Sequence, residues 1–108
     1  MRLPVAVDAL SALAHSHRLA VFRLLVRAGP DGIPAGEIAR EIGIRPNTLS
    51  SQLTILDHAG LVRSRRDGRS IIYSADYDGM RGLLDFLVAD CCGGRPEICG
   101  TLAAALEC

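Results

Sequence analysis

The chain has 108 residues, and since a domain typically holds about 100–200 residues, it is expected to form one compact domain. A hydrophobic fraction of 49% excludes wholesale disorder. The 12 basic and 12 acidic residues give a formal net charge of zero, which by itself argues against nucleic-acid binding because nucleic-acid-binding proteins usually carry a basic excess.

The charge is unevenly distributed along the chain. Every basic residue is an arginine. Residues 1–73 hold ten arginines and six acids, a net charge of +4, whereas residues 74–108 hold two arginines and six acids, a net charge of −4. The zero net charge therefore combines a basic body with an acidic region that follows it.

Hydropathy and the N-terminal sequence bear on the compartment. No apolar run approaches the roughly 18 residues that a membrane span needs. The first residues, Met1 to Pro4, do not open a signal-peptide core. We therefore expect a cytoplasmic protein that has no membrane partner. In that compartment thiols stay reduced, so the four cysteines are expected to be ligands or sensors rather than a disulfide framework.

Two helices are predicted at the start of the chain. The apolar segment 5–14 indicates a first short helix, and Ser16 is expected to cap a second helix that ends at Gly29. Four apolar residues recur with helical spacing along the second helix and predict its buried stripe: Val21, Leu24, Leu25 and Ala28.

Two further short helices follow a Gly- and Pro-rich break at residues 29–32. The first is predicted over residues 34–43 and the second over residues 46–60, with a tight connection between them. Three leucines of the second helix recur at positions i, i+4 and i+7 and are predicted to be buried: Leu49, Leu53 and Leu56.

The periodicity then changes from that of a helix to that of strands. Residues 61–66 and 69–73 predict two strands joined by Asp67-Gly68, a strong signal for a two-residue hairpin loop. Asp76 is expected to cap a long last helix that ends before Gly93-Gly94. The apolar stripe of that helix comprises Met80, Leu83, Leu84, Leu87, Val88 and Cys91.

A pair of short helices followed by a hairpin is the order of a winged helix-turn-helix, a mainly α fold with a β-hairpin wing (α+β). In this fold the second helix of the pair enters the DNA major groove with its N-terminal part. The predicted DNA-binding residues of this helix can bond base edges or phosphates: Arg45, Asn47, Thr48, Ser50, Ser51, Gln52 and Thr54. Those of the wing are arginines, which suit phosphates and minor grooves: Arg65, Arg66 and Arg69, with Arg63 in the same cluster. The alternative is an ordinary solvated polar face, or a wing that binds protein and never contacts DNA.

Four runs of the sequence match the pattern of a known family: Ile38 to Gly43, Asn47 to Leu53, Ala59 to Val62 and Arg66 to Tyr73. Through these runs the sequence resembles the ArsR/SmtB family of bacterial repressors over nearly its whole length. The resemblance implies a homodimer that binds promoter DNA and leaves it when a metal or metalloid binds, with the first and last helices paired across the dimer. Independently of the resemblance, residues 5–14 and 80–88 carry more apolar surface than a small domain can bury alone, which favours a homodimer.

Cysteines are the candidate ligands of the sensor. Two other sensor types of the family are not matched, since residues 34–58 contain no cysteine and residues 76–92 contain no histidine. The remaining cluster is Cys91, Cys92 and, beyond a Gly-Gly hinge, Cys99. Thiolates are soft ligands, and As(III) prefers three sulfurs.

The segment that begins at Cys91 also resembles the arsenite-binding segment of an arsenic-responsive branch of the family. We therefore expect a DNA-binding and dimerisation domain over residues 1–92 and a sensor tail over residues 93–108. As(III) is the expected inducer, and no organic cofactor is expected.

Other thiol chemistries remain open at this stage. Cys108 could supply a fourth thiolate, which keeps zinc, cadmium and lead as alternatives, and antimonite is another soft candidate. A disulfide between Cys92 and Cys99 that releases DNA is the redox alternative. A thiol enzyme is the least favoured class, because nothing in the sequence implies a substrate pocket.

Overall fold

The structure of the protein, a computed structural model, describes residues 1–89. The predicted fold class is confirmed, since five helices and a small antiparallel sheet follow one another in the order of a winged helix-turn-helix. Every prediction that concerns residues 90–108, including the cysteine site and the sensor tail, lies outside the described residues. The elements are helix α1 (Leu3–Leu13), helix α2 (Ser16–Ala28), strand β1 (Ile33–Pro34), helix α3 (Ala35–Ile42), helix α4 (Pro46–His58), strands β2 (Val62–Asp67) and β3 (Ser70–Ala75), and helix α5 (Tyr77–Val88).

The start of α2 differs from the prediction by one residue. His15, not Ser16, is the capping residue, because its backbone is still extended and its Nδ1 accepts a hydrogen bond of 3.2 Å from the His17 amide. The buried stripe of α2 also differs. Val21 and Leu25 are buried as predicted, but Ala28 is exposed at the end of the helix and Phe22 is buried instead.

The core lies where the first four helices meet the start of the sheet. Helix α1 contributes only Ala6, Ala9 and Ala12, whose small side chains allow it to pack closely against its neighbours. The predicted leucines of α4 are all buried. Each fully buried aliphatic side chain contributes about 1.5–3 kcal/mol to stability. The largest of them are Val21, Leu25, Ile38, Leu49, Leu53, Leu56, Leu61 and Val62.

The sheet has three antiparallel strands in the order β1-β3-β2, and its short edge strand β1 was not predicted. The hairpin loop is also shifted by one residue from the prediction. Asp67 pairs with Ser70, so the two loop residues are Gly68 and Arg69 rather than Asp67 and Gly68. A positive φ at Gly68 followed by a negative one at Arg69 is typical of a type II′ turn, which takes glycine first.

Helix α5 begins as predicted, since the Asp76 carboxylate accepts a hydrogen bond of 3.0 Å from the Gly79 amide. Its first turn lies directly against the end of α4, where a Cβ added to Gly79 would overlap the carbonyl oxygen of Gly60. Of the stripe residues that the structure describes, Met80 to Val88, only Leu83 is buried, and Leu87 is half exposed. Within residues 1–89 no helix has the length and apolar character that crossing a membrane requires.

Candidate nucleic-acid interface

The geometry of the helix pair is set by the connection between α3 and α4. Gly43 ends α3 with a left-handed φ of 78°, and the amides of Gly43 and Ile44 both donate to the carbonyl of Ala39, at 2.9 and 3.1 Å. This closure satisfies the last turn of α3, and glycine adopts it without strain. Pro46 then begins α4. The two helices are thus joined by a rigid turn of three residues.

Helix α4 presents a polar face to solvent opposite its buried leucines. The residues of this face that are predicted to contact DNA are short and uncharged, apart from the arginine that precedes the helix. Six of the residues predicted to contact DNA lie on this face or at its edge: Arg45, Asn47, Thr48, Ser50, Ser51 and Thr54. Thr48 is half-buried and the other five are exposed. Gln52 is the exception. The structure therefore brings six of the seven helix residues together on one accessible surface.

The hydroxyls of this face bond within their own helix. The Thr54 hydroxyl donates to the Ser50 carbonyl at 2.9 Å, and the Ser51 hydroxyl donates to the Asn47 carbonyl at 3.4 Å. The Asn47 side-chain oxygen accepts a hydrogen bond of 3.0 Å from the Thr48 amide. A hydroxyl keeps its acceptor lone pairs while it donates, so these side chains can still accept from base edges.

Gln52 is placed apart from the other predicted contacts. Its side chain is half-buried, and its Oε1 accepts a hydrogen bond of 2.8 Å from Arg18 Nη1 on α2. The amide is thus turned toward the first two helices and away from the exposed face of α4. Sequence spacing alone did not indicate this, because Gln52 follows Ser51 in a polar run and its partner lies 34 residues earlier.

The wing arginines divide into two groups. Arg66 and Arg69 are exposed and form no ion pair among residues 1–89. Arg65 points to the opposite side of β2 from Arg66, and its Nη1 donates to the carbonyl of Asp31 at 3.0 Å. Arg63, at the base of the wing, is paired with Asp76 at 3.2 Å. The two arginines nearest the hairpin tip are therefore the ones that remain available to a phosphate.

A narrow cleft separates α4 from the wing. Its volume is about 140 Å³ and its lining is mainly apolar, with contributions from Leu49, Leu53, Ile71 and Tyr73. Ligand pockets usually occupy about 300–1,000 Å³, so this cleft is too small for most substrates. Because α4 and strand β3 of the wing both line this cleft, the wing lies beside α4.

Among residues 1–89 there is no cluster of three or more histidine, cysteine, aspartate or glutamate side chains that could hold a metal ion. The predicted ligands Cys91, Cys92 and Cys99 lie outside these residues. The described part of the chain therefore holds the predicted DNA-binding residues but not the predicted sensor cysteines.

Known proteins similar to this chain are transcriptional regulators. A family model described as a helix-turn-helix domain matches residues 13–65. The regulator NmtR of Mycobacterium tuberculosis (strain H37Rv) is 41% identical over 76 residues, which are 70% of this chain and 61% of NmtR. The biofilm growth-associated repressor of Agrobacterium fabrum is 35% identical over 89 residues, 82% of this chain and 74% of that protein. The chain spans 53% to 61% of the mycobacterial relatives that it matches.

Solved structures have the same architecture. A winged helix-turn-helix DNA-binding domain from Mycobacterium bovis, described as homodimeric and as a possible ArsR-family transcriptional regulator, is similar with a TM-score of 0.67 and 31% identity. The match covers 82% of this chain and 81% of that domain. The surface formed by α4 and the wing is thus the one that winged-helix proteins present to DNA.

Proposed function

Because the chain belongs to the ArsR-type winged helix-turn-helix transcriptional regulators, we propose that it is an arsenite-responsive repressor that binds operator DNA as a homodimer. One observation carries the DNA-binding part of the proposal. Ser50, on the exposed polar face of α4, lines the same cleft as Ile71, the cross-strand neighbour of Arg66 in the wing. Among residues 1–89, Arg66 and Arg69 form no ion pair.

The DNA-facing surface supports a division of roles. Asn47 and Ser50, near the start of α4, are short polar groups that can reach base edges in the major groove. Arg45, Arg66 and Arg69 are exposed guanidinium groups that can bind phosphates bidentately or enter a minor groove. We assign base reading to α4 and positioning on the DNA backbone to the arginines.

The outer face of α1 supports the homodimer. Leu3, Val7 and Leu10 recur at i, i+4 and i+7, and they are 63%, 54% and 42% exposed in the single chain. Helix α5, which packs beside α1, adds Leu87 at 50% exposed. A stripe of exposed large apolar residues on two adjacent helices is typical of an interaction surface. A second copy of the chain is the occupant we propose, since the similar domain from Mycobacterium bovis is homodimeric.

Thiol chemistry supports the inducer. Cys91 and Cys92 lie three and four residues after Val88, the last residue of α5, and Cys99 lies seven residues after Cys92. Three thiolates would complete the pyramidal coordination of As(III), whereas zinc ordinarily takes four ligands. We propose that Cys91, Cys92 and Cys99 bind As(III) and that this event releases the operator.

The described contacts of α5 offer a route from sensor to DNA. Asp76 is the capping residue of α5. Its amide donates at 2.8 Å to the carbonyl of Leu61, which lies three residues after the end of α4, and its carboxylate pairs with Arg63 in the wing. A displacement of α5 within the dimer would therefore act on both DNA-facing elements. Allosteric coupling is typically about 1–3 kcal/mol, which corresponds to operator binding weakened by roughly 5–150-fold.

The test begins with selection of duplexes from a random DNA library by the purified protein, which yields an operator without knowledge of the regulated genes. Binding to that duplex is then titrated with arsenite. The variant in which Cys91, Cys92 and Cys99 are all serine is expected to bind the duplex normally and to ignore arsenite.

Parallel titrations with zinc, cadmium, antimonite and mild peroxide distinguish the other sensors. If peroxide releases the protein from the duplex and mass spectrometry detects a Cys92–Cys99 disulfide, the protein is a redox sensor rather than an arsenite sensor. A normal arsenite response of the triple serine variant would refute the three-cysteine site. Binding to every duplex without preference would refute operator recognition.

A further inference from the structure

Arg18 connects three helices through its guanidinium group. Its Nε donates to the carbonyl of Ala12 at 2.6 Å, and its Nη1 donates to Gln52 Oε1 at 2.8 Å. Both bonds are part-buried. One side chain of α2 therefore joins the last turn of α1 to the middle of the DNA-facing helix α4.

The end of α1 explains why an arginine occupies this position. The carbonyl of Ala12 lies in the last turn of α1. Because the helix ends at Leu13, this carbonyl has no amide of its own helix, four residues later, to accept from. The last turn also has no basic residue of its own. A cation there satisfies the orphan carbonyl and the negative pole of the helix. Arg18 forms no ion pair among residues 1–89, so these neutral acceptors are its partners in that part of the chain.

The geometry of the guanidinium makes this link directional. Its donors form a planar fork, so one group can bind two acceptors at fixed angles, which the ammonium group of a lysine does not do. Gln52 is held by the fork on the side of α4 that faces α1. The orientation of α4 is therefore tied to α1, the helix whose outer face carries the exposed apolar stripe.

We propose that Arg18 is a positioning residue for operator recognition, and that Gln52 contributes to DNA binding by bonding Arg18 rather than by contacting a base. This inference rests on the proposed operator binding. It extends that function by connecting the α1 surface, where we place the dimer contact, to the DNA-facing helix. A change in the α1 arrangement would reach α4 through this pair.

The test is a double-mutant cycle in operator affinity with Arg18→Met, Gln52→Met and the double variant. Each single variant is expected to bind the selected duplex about 10–150-fold more weakly, in keeping with the loss of a hydrogen bond to a charged group. The double variant is expected to bind no more weakly than the weaker single variant, because the two side chains act as one unit. Arg23→Met is the matched control, because Arg23 is exposed on the same helix α2 and its substitution removes the same positive charge.

Two further readouts separate positioning from direct contact with DNA. Arg18→Met is expected to leave the salt dependence of binding unchanged, because Arg18 contacts no phosphate. Gln52→Met is expected to weaken binding to all single-base variants of the duplex by the same factor. A merely structural role would lower the melting temperature and the fraction of active protein, but not the affinity of that active fraction.

Three results would overturn the inference. They are losses that multiply in the double variant, wild-type affinity of Arg18→Met, and a Gln52→Met variant that loses preference at a single base pair. If Arg18→Met does not fold, Arg18→Lys, which retains the charge without the fork, is expected to show the same loss and the same non-additivity. Failure of the wild-type protein to select any duplex would instead refute the proposed function itself.

Discussion

Arg63 Nε at the base of the wing lies 3.2 Å from Asp76 Oδ2, the carboxylate that also caps α5. The Asp76 side chain is mostly buried, whereas Arg63 is largely exposed. One carboxylate therefore satisfies an amide at the start of α5 and holds a strand of the wing. This arrangement also explains why Arg63 differs from Arg66 and Arg69 nearer the hairpin tip, which form no ion pair within residues 1–89.

The double role of Asp76 predicts a graded loss of stability. Asp76→Ala removes both the cap and the ion pair, and we expect it to lower the free energy of unfolding by about 1–2 kcal/mol. Asp76→Asn retains a capping oxygen and is expected to cost less than about 1 kcal/mol. Urea unfolding measures both. Asp78→Asn is the control, because the Asp78 carboxylate is exposed and lies farther from the same arginine, at 3.8 Å. If this variant loses as much stability as Asp76→Ala, the double role of Asp76 is contradicted.

Two glycines predict opposite effects of the same substitution. Gly79→Ala would force a methyl group onto the carbonyl oxygen of Gly60, so we expect a loss of more than about 2 kcal/mol and poor folding. Gly36→Ala, in α3, meets only the flexible end of Arg40 at 3.7 Å and is expected to raise stability by about 0.4–1 kcal/mol. Thermal unfolding of the two variants compares them directly. Similar melting temperatures would show that α5 does not pack against Gly60 as described.

The exposed face of α1 predicts a specific effect on assembly. Val7→Glu places a charge in the middle of the apolar stripe and is expected to shift the protein from dimer to monomer, because burying an unpaired charge is costly. Sedimentation velocity at several concentrations measures the shift. Leu19→Glu is the matched control, since Leu19 is 43% exposed on α2 and lies off the stripe. Dissociation by Leu19→Glu, with a stable Val7→Glu dimer, would move the interface to α2.

The wing predicts how binding responds to salt. Arg66→Met and Arg69→Met are each expected to reduce the slope of log affinity against log salt concentration by about one, as expected for the loss of a phosphate contact. Arg65→Met is expected to change the slope less, because its guanidinium already donates to the Asp31 carbonyl. Fluorescence anisotropy from low to moderate salt measures all three. Equal slopes for Arg65→Met and Arg66→Met would contradict this division of the wing.

Sequence patterns anticipated most of the fold because they report local preferences. The recurrence of Leu49, Leu53 and Leu56 indicated the buried side of α4, and all three are buried. Asp76 was correctly predicted to cap α5. The errors occur at element ends, where several local solutions have similar energies. His15 rather than Ser16 caps α2, and pairing with β3 places the hairpin loop one residue later than predicted.

The sequence by itself determined the class of the protein: two short amphipathic helices, a Gly-centred arginine hairpin and an acidic region with clustered cysteines. Only the tertiary structure decided which polar side chains face outward. Gln52 belongs to the polar run of α4 but bonds Arg18, and Arg63 belongs to the wing but bonds Asp76. Periodicity assigns a residue to a face of its own element, whereas its partner depends on how distant elements pack together.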